Sequence, residues 1–560
     1  MYIEILNPEN AARISCSDGD NLYQILSEQN LMDAPCGGVA CCGKCKVQIV
    51  NVQLSLTKEE EQFLTEQERA DGWRLACVHC VTEDLQLFLP PQEKAASISC
   101  KGYLRPFRPH LNIQKILTPA GDTEVRLDDQ PAAVEPGDTT DRLYGIAIDI
   151  GTTTVVASLI DMQDGQELLS MSCLNSQKVF GQDVITRINF AMTHPRGTWA
   201  QQKTILRDLQ TLIYDLYEAF NEQKEADDPP IGPQDIYEIT VGANNTMIHL
   251  LLGVDPSSMG TAPYLPAFHG ARRARGAADL TLPVNPVCQV YCVPAVSAFV
   301  GGDITAGVLA CGFHEKKNNT LFLDIGTNGE MVLSRKGKLC ACSCAAGPAL
   351  EGMNISCGVR AASGAIEDVQ INGEGNATQV QLTVIGNTKP TGLCGSGILA
   401  AVAELRRSGI LHKSGRLNRH PLVKKVDGKK RFYLSEADNI YLTQKDIRQV
   451  QLAKGAILSG IQSMLAHHGL RDSDIDEVLV AGQFGAHLKA ESLTGAGLIP
   501  ADLEEKIHYV GNTSKSGAYL CLMDKEQRQA AEEIAQTIDY IELSRLEGYE
   551  DVFVSAMNFD

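Results

Sequence analysis

The sequence predicts two unlike folds in one chain: a small α+β domain at the N-terminus and a large α/β domain after it. Six of the 18 cysteines lie between residues 36 and 80, and the first 92 residues carry a net charge of −8. After residue 143, apolar strands alternate with glycine-rich turns and long helical patterns, which is typical of α/β folds. Two strand–turn–strand segments, 144–160 and 321–333, share one pattern and indicate an internal duplication.

Length and composition limit the class of protein. The chain has 560 residues and a formal charge of −20. We therefore expect several domains and no nucleic-acid or anionic-membrane surface, since both need clustered Lys and Arg. The sequence has no apolar run of 18 residues and no apolar leader, so we expect no membrane span. This cysteine content then indicates metal or redox chemistry in a reducing compartment, and we expect a cytoplasmic protein.

The first 92 residues have the pattern of a small sheet with one helix. The alternating runs YIEIL and DLQLFL open and close the segment, and a helical pattern and the strand KCKVQIV lie between them. Residues 93–142 are weakly periodic and contain scattered prolines. We interpret that stretch as a linker or a very small subdomain.

Four cysteines of the first domain have the spacing of cluster ligands. Cys36-x5-Cys42-x2-Cys45, followed by Cys77, provides four thiolates, three of them from one glycine-rich loop. A [2Fe–2S] cluster needs four such ligands. Cys41 cannot replace Cys42, because Lys44 would then stand where the third cysteine is needed. The segment resembles the β-grasp [2Fe–2S] ferredoxins, and RLAC at 74–77 resembles their fourth-ligand motif.

Two other metal sites are compatible with the cysteine pattern. A structural zinc site would use two C-x2-C pairs, formed by Cys42, Cys45, Cys77 and Cys80. It leaves Cys36 and the glycine-rich loop unexplained, so we expect the cluster, with Cys41 and Cys80 as bystanders. A second site would use three cysteines on one face of a strand with a fourth nearby: Cys340, Cys342, Cys344 and Cys357. Buried strand cysteines are the commoner arrangement, and we adopt that interpretation.

The duplicated segments carry residues suited to a nucleotide. Asp149 and Asp324 occupy equivalent places 175 residues apart, each followed by glycine and a polar turn. A carboxylate at a strand end can hold Mg²⁺, usually through water, while turn amides and hydroxyls contact phosphate. The sequence has no P-loop. The predicted phosphate-binding residues are Gly151, Thr152, Thr153, Thr154, Gly326, Thr327 and Asn328.

A third segment, VLVAGQFGAHL at 478–488, resembles the adenosine motif of the superfamily of acetate kinase, sugar kinases, Hsp70 and actin. The resemblance implies a duplicated actin/Hsp70-like ATPase domain over 143–560. Glu330 could position the attacking water or make a strand-end hydrogen bond, and both interpretations stay open; Glu351 and Asp183 are secondary candidates for the role with water. A glycine-rich helix start at 392–405 could present amides to ribose or phosphate. The further nucleotide-binding residues are therefore Gly395, Ser396, Gly397, Gly482, Gln483, Phe484 and Gly485.

A ferredoxin fused to this ATPase fold resembles the reductive activators of corrinoid proteins, over the first segment and nearly all of 143–520. The resemblance implies ATP-dependent reduction of a methyltransferase-system corrinoid protein from Co(II) to Co(I), with one electron from the cluster. Each 59 mV of uphill transfer costs roughly 1.4 kcal/mol, which nucleotide turnover can offset. The implied cofactors are the [2Fe–2S] cluster, ATP and Mg²⁺. The implied partners are the corrinoid protein and a low-potential electron donor, and a homodimer is left open.

Two other functions remain compatible with the sequence. One is an activator of the 2-hydroxyacyl-CoA dehydratase type, which has the same ATPase fold but a [4Fe–4S] cluster at a dimer interface. The other is a non-catalytic redox sensor that uses ATP to change shape. Many corrinoid activators also have a compact helical domain before the ATPase, so 93–142 is a linker or a reduced middle domain. A flexible linker of that length would let the acidic ferredoxin move between its electron donor and the corrinoid partner.

Overall fold

The computed structural model describes residues 1–559 apart from 8–10, 30, 33–37, 39, 41–42, 91–106, 225–228, 427 and 483–487. The chain divides into two compact units. The first comprises residues 1–95 with 177–187, and the second comprises residues 96–176 with 188–560. Within the described ranges, no helix is long and apolar enough to cross a membrane.

The first unit contains a five-stranded sheet with the order β2-β1-β5-β3-β4, in which the first and last strands, β1 and β5, are parallel. Helix α1 begins at a side-chain cap from Asn21 and buries Leu22 and Leu26 completely. The elements are β1 (Tyr2–Ile5), β2 (Ala12–Ser15), α1 (Leu22–Glu28), β3 (Lys46–Ile49), α2 (Glu60–Phe63), α3 (Glu66–Ala70), β4 (Trp73–Leu75) and β5 (Leu85–Phe88). The predicted α+β ferredoxin fold is confirmed.

The region predicted as a linker contains a folded sheet of three antiparallel strands, β6 (Ile113–Leu117), β7 (Thr123–Leu127) and β8 (Gln130–Glu135). Ile113 and Val125 are fully buried in a core of the second unit. Lys115 Nζ donates a 2.8 Å hydrogen bond to Tyr237 Oη, and the His110 amide donates to the Met523 carbonyl at 2.9 Å. Residues 110–135 therefore fit the interpretation as a very small subdomain and not the interpretation as a linker, because they form a sheet that packs onto the large α/β unit.

The first half of the large α/β fold is a six-stranded sheet with the order β11-β10-β9-β12-β14-β13. Its two central strands, β9 and β12, are parallel and consist almost entirely of buried residues, as expected for strands covered on both faces. The elements are β9 (Tyr144–Ile150), β10 (Thr154–Asp161), β11 (Glu167–Leu174), α4 (Val184–Thr193), α5 (Gly197–Asn221), β12 (Ile236–Ala243), α6 (Asn245–Leu251), β13 (Arg272–Arg275), α7 (Gly276–Leu280), β14 (Gln289–Cys292) and α8 (Gly302–Ala310).

The second half contains another six-stranded sheet, with the order β26-β17-β16-β15-β24-β25, and two small sheets that extend it. Its strands are β15 (Asn319–Ile325), β16 (Gly329–Arg335), β17 (Lys338–Cys344), β18 (Ala365–Asn372), β19 (Gln379–Val384), β20 (Gly392–Leu393), β21 (Val423–Val426), β22 (Lys429–Ser435), β23 (Ile440–Thr443), β24 (Glu477–Ala481), β25 (Ile507–Gly511) and β26 (Asp539–Tyr540). Its helices are α9 (Gly395–Arg407), α10 (Gln444–His467), α11 (Ala490–Gly495), α12 (Thr513–Met523), α13 (Lys525–Thr537) and α14 (Tyr549–Ala556).

The two large sheets repeat one topology. In each, an antiparallel hairpin (β9–β10 or β15–β16) is followed by a strand parallel to its first member (β12 or β24). Asp149 pairs with Gly242 of the parallel strand, and Asp324 pairs with Ala481 in the same register. The predicted internal duplication is therefore visible in the strand order and in the position of both aspartates.

Helices α8 and α12 pack closely through small residues. A β-carbon on Gly517 of α12 would lie 2.1 Å from the Ala306 carbonyl oxygen of α8, and one on Gly307 would lie 2.8 Å from Thr513 Oγ1. No side chain larger than glycine fits at either position without moving a helix. The contact therefore fixes the N-terminal turns of both helices relative to the strands that carry the phosphate loops.

Candidate functional site

Two of the four predicted cluster ligands lie within the described residues, and they lie together. Cys45 Sγ and Cys77 Sγ are 3.2 Å apart and almost fully buried. That separation is well beyond the ~2.05 Å of a disulfide. It is near the ~3.8 Å expected for two sulfurs about 2.3 Å from one tetrahedral metal. This donor pair fits a cluster, while Cys36, Cys42 and the bystander Cys41 lie outside the described residues.

The Cys77 turn is held in place by a buried carboxylate. Glu60 Oε1 accepts 2.8 Å and 2.9 Å hydrogen bonds from the Leu75 amide and His79 Nε2, two residues before and two after Cys77. Burial acts to raise the pKa of Glu60, but these hydrogen bonds outweigh it and lower the pKa. An ionised Glu60 therefore fixes both ends of the turn that presents the cysteine.

The zinc alternative is not supported by the described residues. It needs Cys80 on the same metal as Cys45 and Cys77, and Cys80 is exposed whereas the other two are buried. Among the residues with described positions, no three His, Cys, Asp or Glu side chains are placed to hold a metal ion. This also applies to Cys340, Cys342 and Cys344, which are buried in a hydrophobic core, as the strand interpretation predicted.

The first phosphate loop is the turn between β9 and β10. The Gly151 amide donates a 2.9 Å hydrogen bond to the Thr154 carbonyl and closes the turn. Asn175 Nδ2 donates to the Gly151 carbonyl at 2.9 Å, and Asn244 Nδ2 donates to Thr152 Oγ1 at 3.3 Å. The turn is thus fixed by neighbouring asparagines, with Thr152 and Thr153 at its tip.

The second phosphate loop has the same construction between β15 and β16. The Gly326 amide donates a 2.9 Å hydrogen bond to the Asn328 carbonyl, and the Gly347 amide donates to the Thr327 carbonyl at 2.8 Å. In the first loop the Asn175 amide donates to the Thr153 carbonyl at 2.9 Å. In each loop, the backbone carbonyl of one threonine, Thr153 or Thr327, therefore accepts a hydrogen bond from the segment that follows the third strand of its sheet, β11 or β17.

Four carboxylates lie near these loops. Burial, followed by the charge of Asp149, raises the pKa of Asp324 to about 7. Burial and the charges of Asp324 and Asp149 raise the pKa of Asp303 to about 7. Burial and the charges of Asp303 and Asp324 raise the pKa of Glu330 well above its usual value. These carboxylates oppose one another's ionisation, and a divalent cation would neutralise them; since no three of these described side chains are placed to bind a metal ion directly, the cation would be held partly through water.

Glu330 lies directly opposite Asp324 in the β15–β16 hairpin. A hydrogen bond from the Asn328 side chain opposes the rise in its pKa. Both interpretations of Glu330 therefore remain compatible with the structure. The hydrogen bond from Asn328 attaches it to the strand end, and its position near the aspartates is suited to orienting the attacking water.

Sequence reasoning did not assign four polar residues to this site: three were missed, and Glu351 was named only as a secondary candidate beside Glu330. Asp149 accepts 2.8 Å hydrogen bonds from Asn512 Nδ2 and Ser514 Oγ at the start of α12. Glu351 accepts from Thr327 Oγ1 at 2.5 Å and from Thr153 Oγ1 at 3.3 Å. The fourth is Asp303, in the first turn of α8. Asn512 and Ser514 lie in the segment VGNTSKSGA, whose family resemblance could have pointed to them.

The predicted adenosine motif is described only in part. Gly482 has φ +99°, and a β-carbon there would lie 3.0 Å from Asp324 Oδ1. Glycine is therefore required at the position where β24 passes the second loop. Gln483, Phe484 and Gly485 lie outside the described residues.

The glycine-rich start of α9 has a packing role. Gly395, Ser396 and Gly397 are buried, and a β-carbon on Gly397 would lie 2.0 Å from the Ile366 carbonyl oxygen. The Ser396 hydroxyl lies 3.3 Å from Cys394 Sγ. The close approach of α9 to β18 explains why position 397 is glycine, while a contact of Gly395 and Ser396 with ribose or phosphate stays a prediction.

The fold and the two sites define a class: an iron–sulfur protein with a duplicated ATPase domain of the actin and Hsp70 type. Three family profiles match the chain. They are described as 2Fe-2S iron-sulfur cluster binding domain (residues 6–82), RACo middle region (144–316) and C-terminal domain of RACo, the ASKHA domain (318–560). The middle region is thus the first half of the duplicated fold, rather than residues 93–142.

The chain belongs to the RACo-type reductive activators of corrinoid proteins. It is 36% identical over 419 residues to corrinoid activation enzyme RamQ of Eubacterium limosum, covering 72% of this chain and 68% of RamQ. It is 24% identical over 446 residues to the Co(II) methylated amine-specific corrinoid protein reductase of Methanosarcina barkeri, covering 74% and 77%. A solved structure titled "Reductive activator for corrinoid,iron-sulfur protein" matches with a TM-score of 0.71 and 30% identity, over 100% of this chain and 98% of that one.

Proposed function

We propose that this protein reduces the Co(II) corrinoid of a methyltransferase-system partner protein to Co(I), in a reaction that requires ATP. The observation that carries the proposal is the union of a buried cysteine pair and a two-loop nucleotide site in one chain. Relatives of this chain are named as a corrinoid activation enzyme and a corrinoid protein reductase. We infer the corrinoid partner from the names of these relatives. We infer the requirement for ATP from the unfavourable potential of the electron transfer to Co(II).

The residues divide into two groups by task. Cys45 and Cys77, with the predicted ligands Cys36 and Cys42, hold the [2Fe–2S] cluster, which supplies one electron when bound. The nucleotide group is formed by the two loops and the carboxylates around them. Asp149 and Asp324 hold Mg²⁺, with Asp303 close to both.

The two phosphate loops bind the polyphosphate. Their turn amides and the side chains of Thr152, Thr153, Thr327 and Asn328 act as donors. Asn244 and Asn175 donate hydrogen bonds to the first loop and so fix the conformation of its turn before the nucleotide arrives. Gly482 allows β24 to pass beside Asp324, and we propose that the segment after it contacts adenosine.

A low-potential electron donor reloads the cluster, and the acidic surface of residues 1–92 suits a basic donor. We place the protein in the cytoplasm, where thiols stay reduced. The dehydratase-activator and redox-sensor alternatives have no comparable support, since the matched family and both relatives are corrinoid activators. A homodimer remains a proposal that sedimentation of the purified chain would test.

The test is an anaerobic reduction assay with the purified full chain, a Co(II) corrinoid protein and a low-potential reductant. Visible spectra should show Co(I) formation only when Mg²⁺ and ATP are present. The variants Asp149→Ala and Asp324→Ala should lose ATP hydrolysis, by about 100-fold or more, and ATP-dependent reduction, while keeping the cluster absorption. Equal reduction with and without ATP, across several corrinoid partners, would overturn the proposal. Wild-type ATPase rates in both variants would remove these aspartates from the site.

A further inference from the structure

Glu351 joins the two phosphate loops directly. Its Oε1 accepts a 2.5 Å hydrogen bond from Thr327 Oγ1 of the second loop, and its Oε2 accepts a 3.3 Å hydrogen bond from Thr153 Oγ1 of the first. Thr153 and Thr327 each lie in the turn of a phosphate loop, and the carbonyl of each accepts a hydrogen bond from the segment after the third strand of its sheet. One carboxylate therefore connects the halves of the ATPase fold across the place where the nucleotide would bind.

The backbone around Glu351 holds it in this position. Residues Pro348–Glu351 form a single 3-10 turn between Gly347 (φ +75°) and Gly352 (φ +79°). The Gly347 amide is bonded to the Thr327 carbonyl, so the start of the turn is attached to the second loop. A β-carbon on Gly352 would lie 2.4 Å from the Val359 carbonyl oxygen, so the end of the turn is enclosed as well. The carboxylate is thus positioned by a short, constrained segment.

A threonine hydroxyl has one proton and can donate it to one acceptor at a time. When Thr153 and Thr327 donate to Glu351, they cannot donate to a phosphate oxygen. When Glu351 is ionised, it also repels a polyphosphate at this distance, because like charges oppose each other most where water is excluded. Hydrogen bonding of both hydroxyls to Glu351 and to ATP is therefore mutually exclusive.

We propose that Glu351 is a positioning residue that holds the two phosphate loops together in the nucleotide-free protein and releases their hydroxyls to ATP. Nucleotide binding then exchanges a bridge within the protein for bonds to phosphate. ATP can shift the arrangement of the two halves only through such a difference between bound and unbound states. This inference rests on the proposed nucleotide site. It identifies Glu351 as the group through which binding of the nucleotide changes the arrangement of the two halves.

The experiment is calorimetric titration of the full chain with a non-hydrolysable ATP analogue and Mg²⁺. Glu351→Gln keeps the shape of the side chain but removes its charge and one of its two acceptors, so the analogue should bind at least fivefold more tightly. AMP, which lacks the outer phosphates, should bind equally to both proteins. Glu374→Gln, an exposed change in the β18–β19 turn, is the matched control and should leave both affinities unchanged.

A second variant separates this role from a structural one. Thr327→Val should weaken binding of the analogue in the wild type and should cancel most of the gain in the Glu351→Gln protein, because the released hydroxyl is then missing. Structural damage would weaken binding in every background. Glu351→Ala should act in the same direction as Glu351→Gln and carries the test if the amide variant fails to fold.

The outcomes are distinguishable. Weaker binding by folded Glu351→Gln would make Glu351 a ligand of the nucleotide or its cation and overturn the proposal. Unchanged binding would show that the bridge has no energetic role and would also overturn it. Absence of nucleotide binding by the wild-type chain would instead overturn the proposed ATP-dependent function.

Discussion

Ser514 Oγ donates a 2.8 Å hydrogen bond to Asp149 Oδ1, and so joins the first turn of α12 to the end of β9. Burial raises the pKa of Asp149, and the hydrogen bonds from Ser514 and Asn512 oppose that rise. The carboxylate that we assign to Mg²⁺ is therefore kept ionisable by residues more than 360 positions further along the chain. Loss of either hydrogen-bond donor should therefore lower the rate of ATP hydrolysis without unfolding the protein.

The variant Ser514→Ala should lower kcat/KM for ATP hydrolysis by roughly tenfold, because a hydrogen bond to a charged group contributes about 1.5–3 kcal/mol. Asp149 should then ionise at higher pH, so the activity lost near neutral pH should partly return under alkaline conditions. Steady-state ATPase rates across pH measure both effects. Ser516→Ala is the matched control, since Ser516 Oγ bonds only within α12, to the Asn512 carbonyl. Equal rates in all three proteins would contradict the role of Ser514.

The cluster prediction concerns which cysteines are ligands. Replacing Cys45 or Cys77 by Ala should abolish visible absorption and reduce bound iron from about two per chain to near zero, because the cluster needs four thiolates. Cys36→Ala and Cys42→Ala should behave in the same way, and Cys41→Ala should keep its colour. Iron and sulfide analysis with visible spectra provides the measurement.

Cys80→Ala is the control for the cluster variants, since this cysteine is exposed and only three residues beyond Cys77. The variant should keep both colour and iron. Retained colour in Cys42→Ala together with its loss in Cys41→Ala would show that the second ligand is Cys41. Bound zinc that depends on Cys80 would restore the zinc interpretation.

The sequence predicted the parts of the molecule that repeat or cluster locally. The spacing of Cys36, Cys42 and Cys45 indicated the first domain, and the two Asp-Ile-Gly-Thr turns indicated the duplication, because each of these patterns lies within about ten residues. Asp303, Asn512 and Ser514 were missed, since each is a single polar residue brought to the site by tertiary packing. No local pattern distinguishes such a residue from a solvent-facing one.

The prolines explain why the three-stranded sheet was missed. Pro131 lies inside β8, and Pro119 lies in the turn between β6 and β7. Strand β8 is at the edge of its sheet, where proline is tolerated because no ladder hydrogen bond is lost. The scattered prolines left both interpretations open, because they are equally compatible with a linker and with a very small subdomain of short strands.

The carboxylate cluster predicts a pH-dependent stability. Asp303 and Asp324 have pKa values raised from 3.8 to about 7 in the folded protein. The folded state then holds protons that the unfolded state releases between about pH 4 and 7. The free energy of unfolding should therefore fall as pH rises through that window, and level off above it. Denaturant unfolding of the nucleotide-free protein at pH 5, 6, 7 and 8 measures the slope.

Asp303→Asn should flatten this dependence, because it removes one titrating group and also removes the charge that raises the pKa of Glu330. The variant should be more stable than the wild type at pH 8, while Glu374→Gln should follow the wild-type profile. Mg²⁺ with ATP should also reduce the slope, since a bound cation favours the ionised carboxylates. A wild-type slope in Asp303→Asn would show that Asp303 does not titrate in this range.

The last prediction concerns coupling between the cluster and the ATPase, which can be tested by cutting the chain between them. The cut must avoid the three-stranded sheet β6–β8. A cut near residue 120 would open the β6–β7 hairpin, whose Ile113 and Val125 are fully buried, and should destabilise the large unit. A protease site placed within 91–106, outside the described residues, should spare cluster absorption and ATPase activity. It should nevertheless reduce ATP-dependent corrinoid reduction at micromolar protein by about tenfold or more. Covalent attachment gives the ferredoxin an effective concentration of roughly millimolar, and cleavage removes it.

The cleaved protein also provides the decisive comparison. Raising the concentration of the ferredoxin fragment should restore the rate, because the reaction has become bimolecular. ATP should change the affinity of the uncut chain for its corrinoid partner, and the partner should change the affinity for ATP by the same factor, as thermodynamic linkage requires. Titration of each ligand in the presence and absence of the other measures both factors. Equal affinities in all four titrations, with full reduction after cleavage, would mean that ATP and the cluster act independently in this protein.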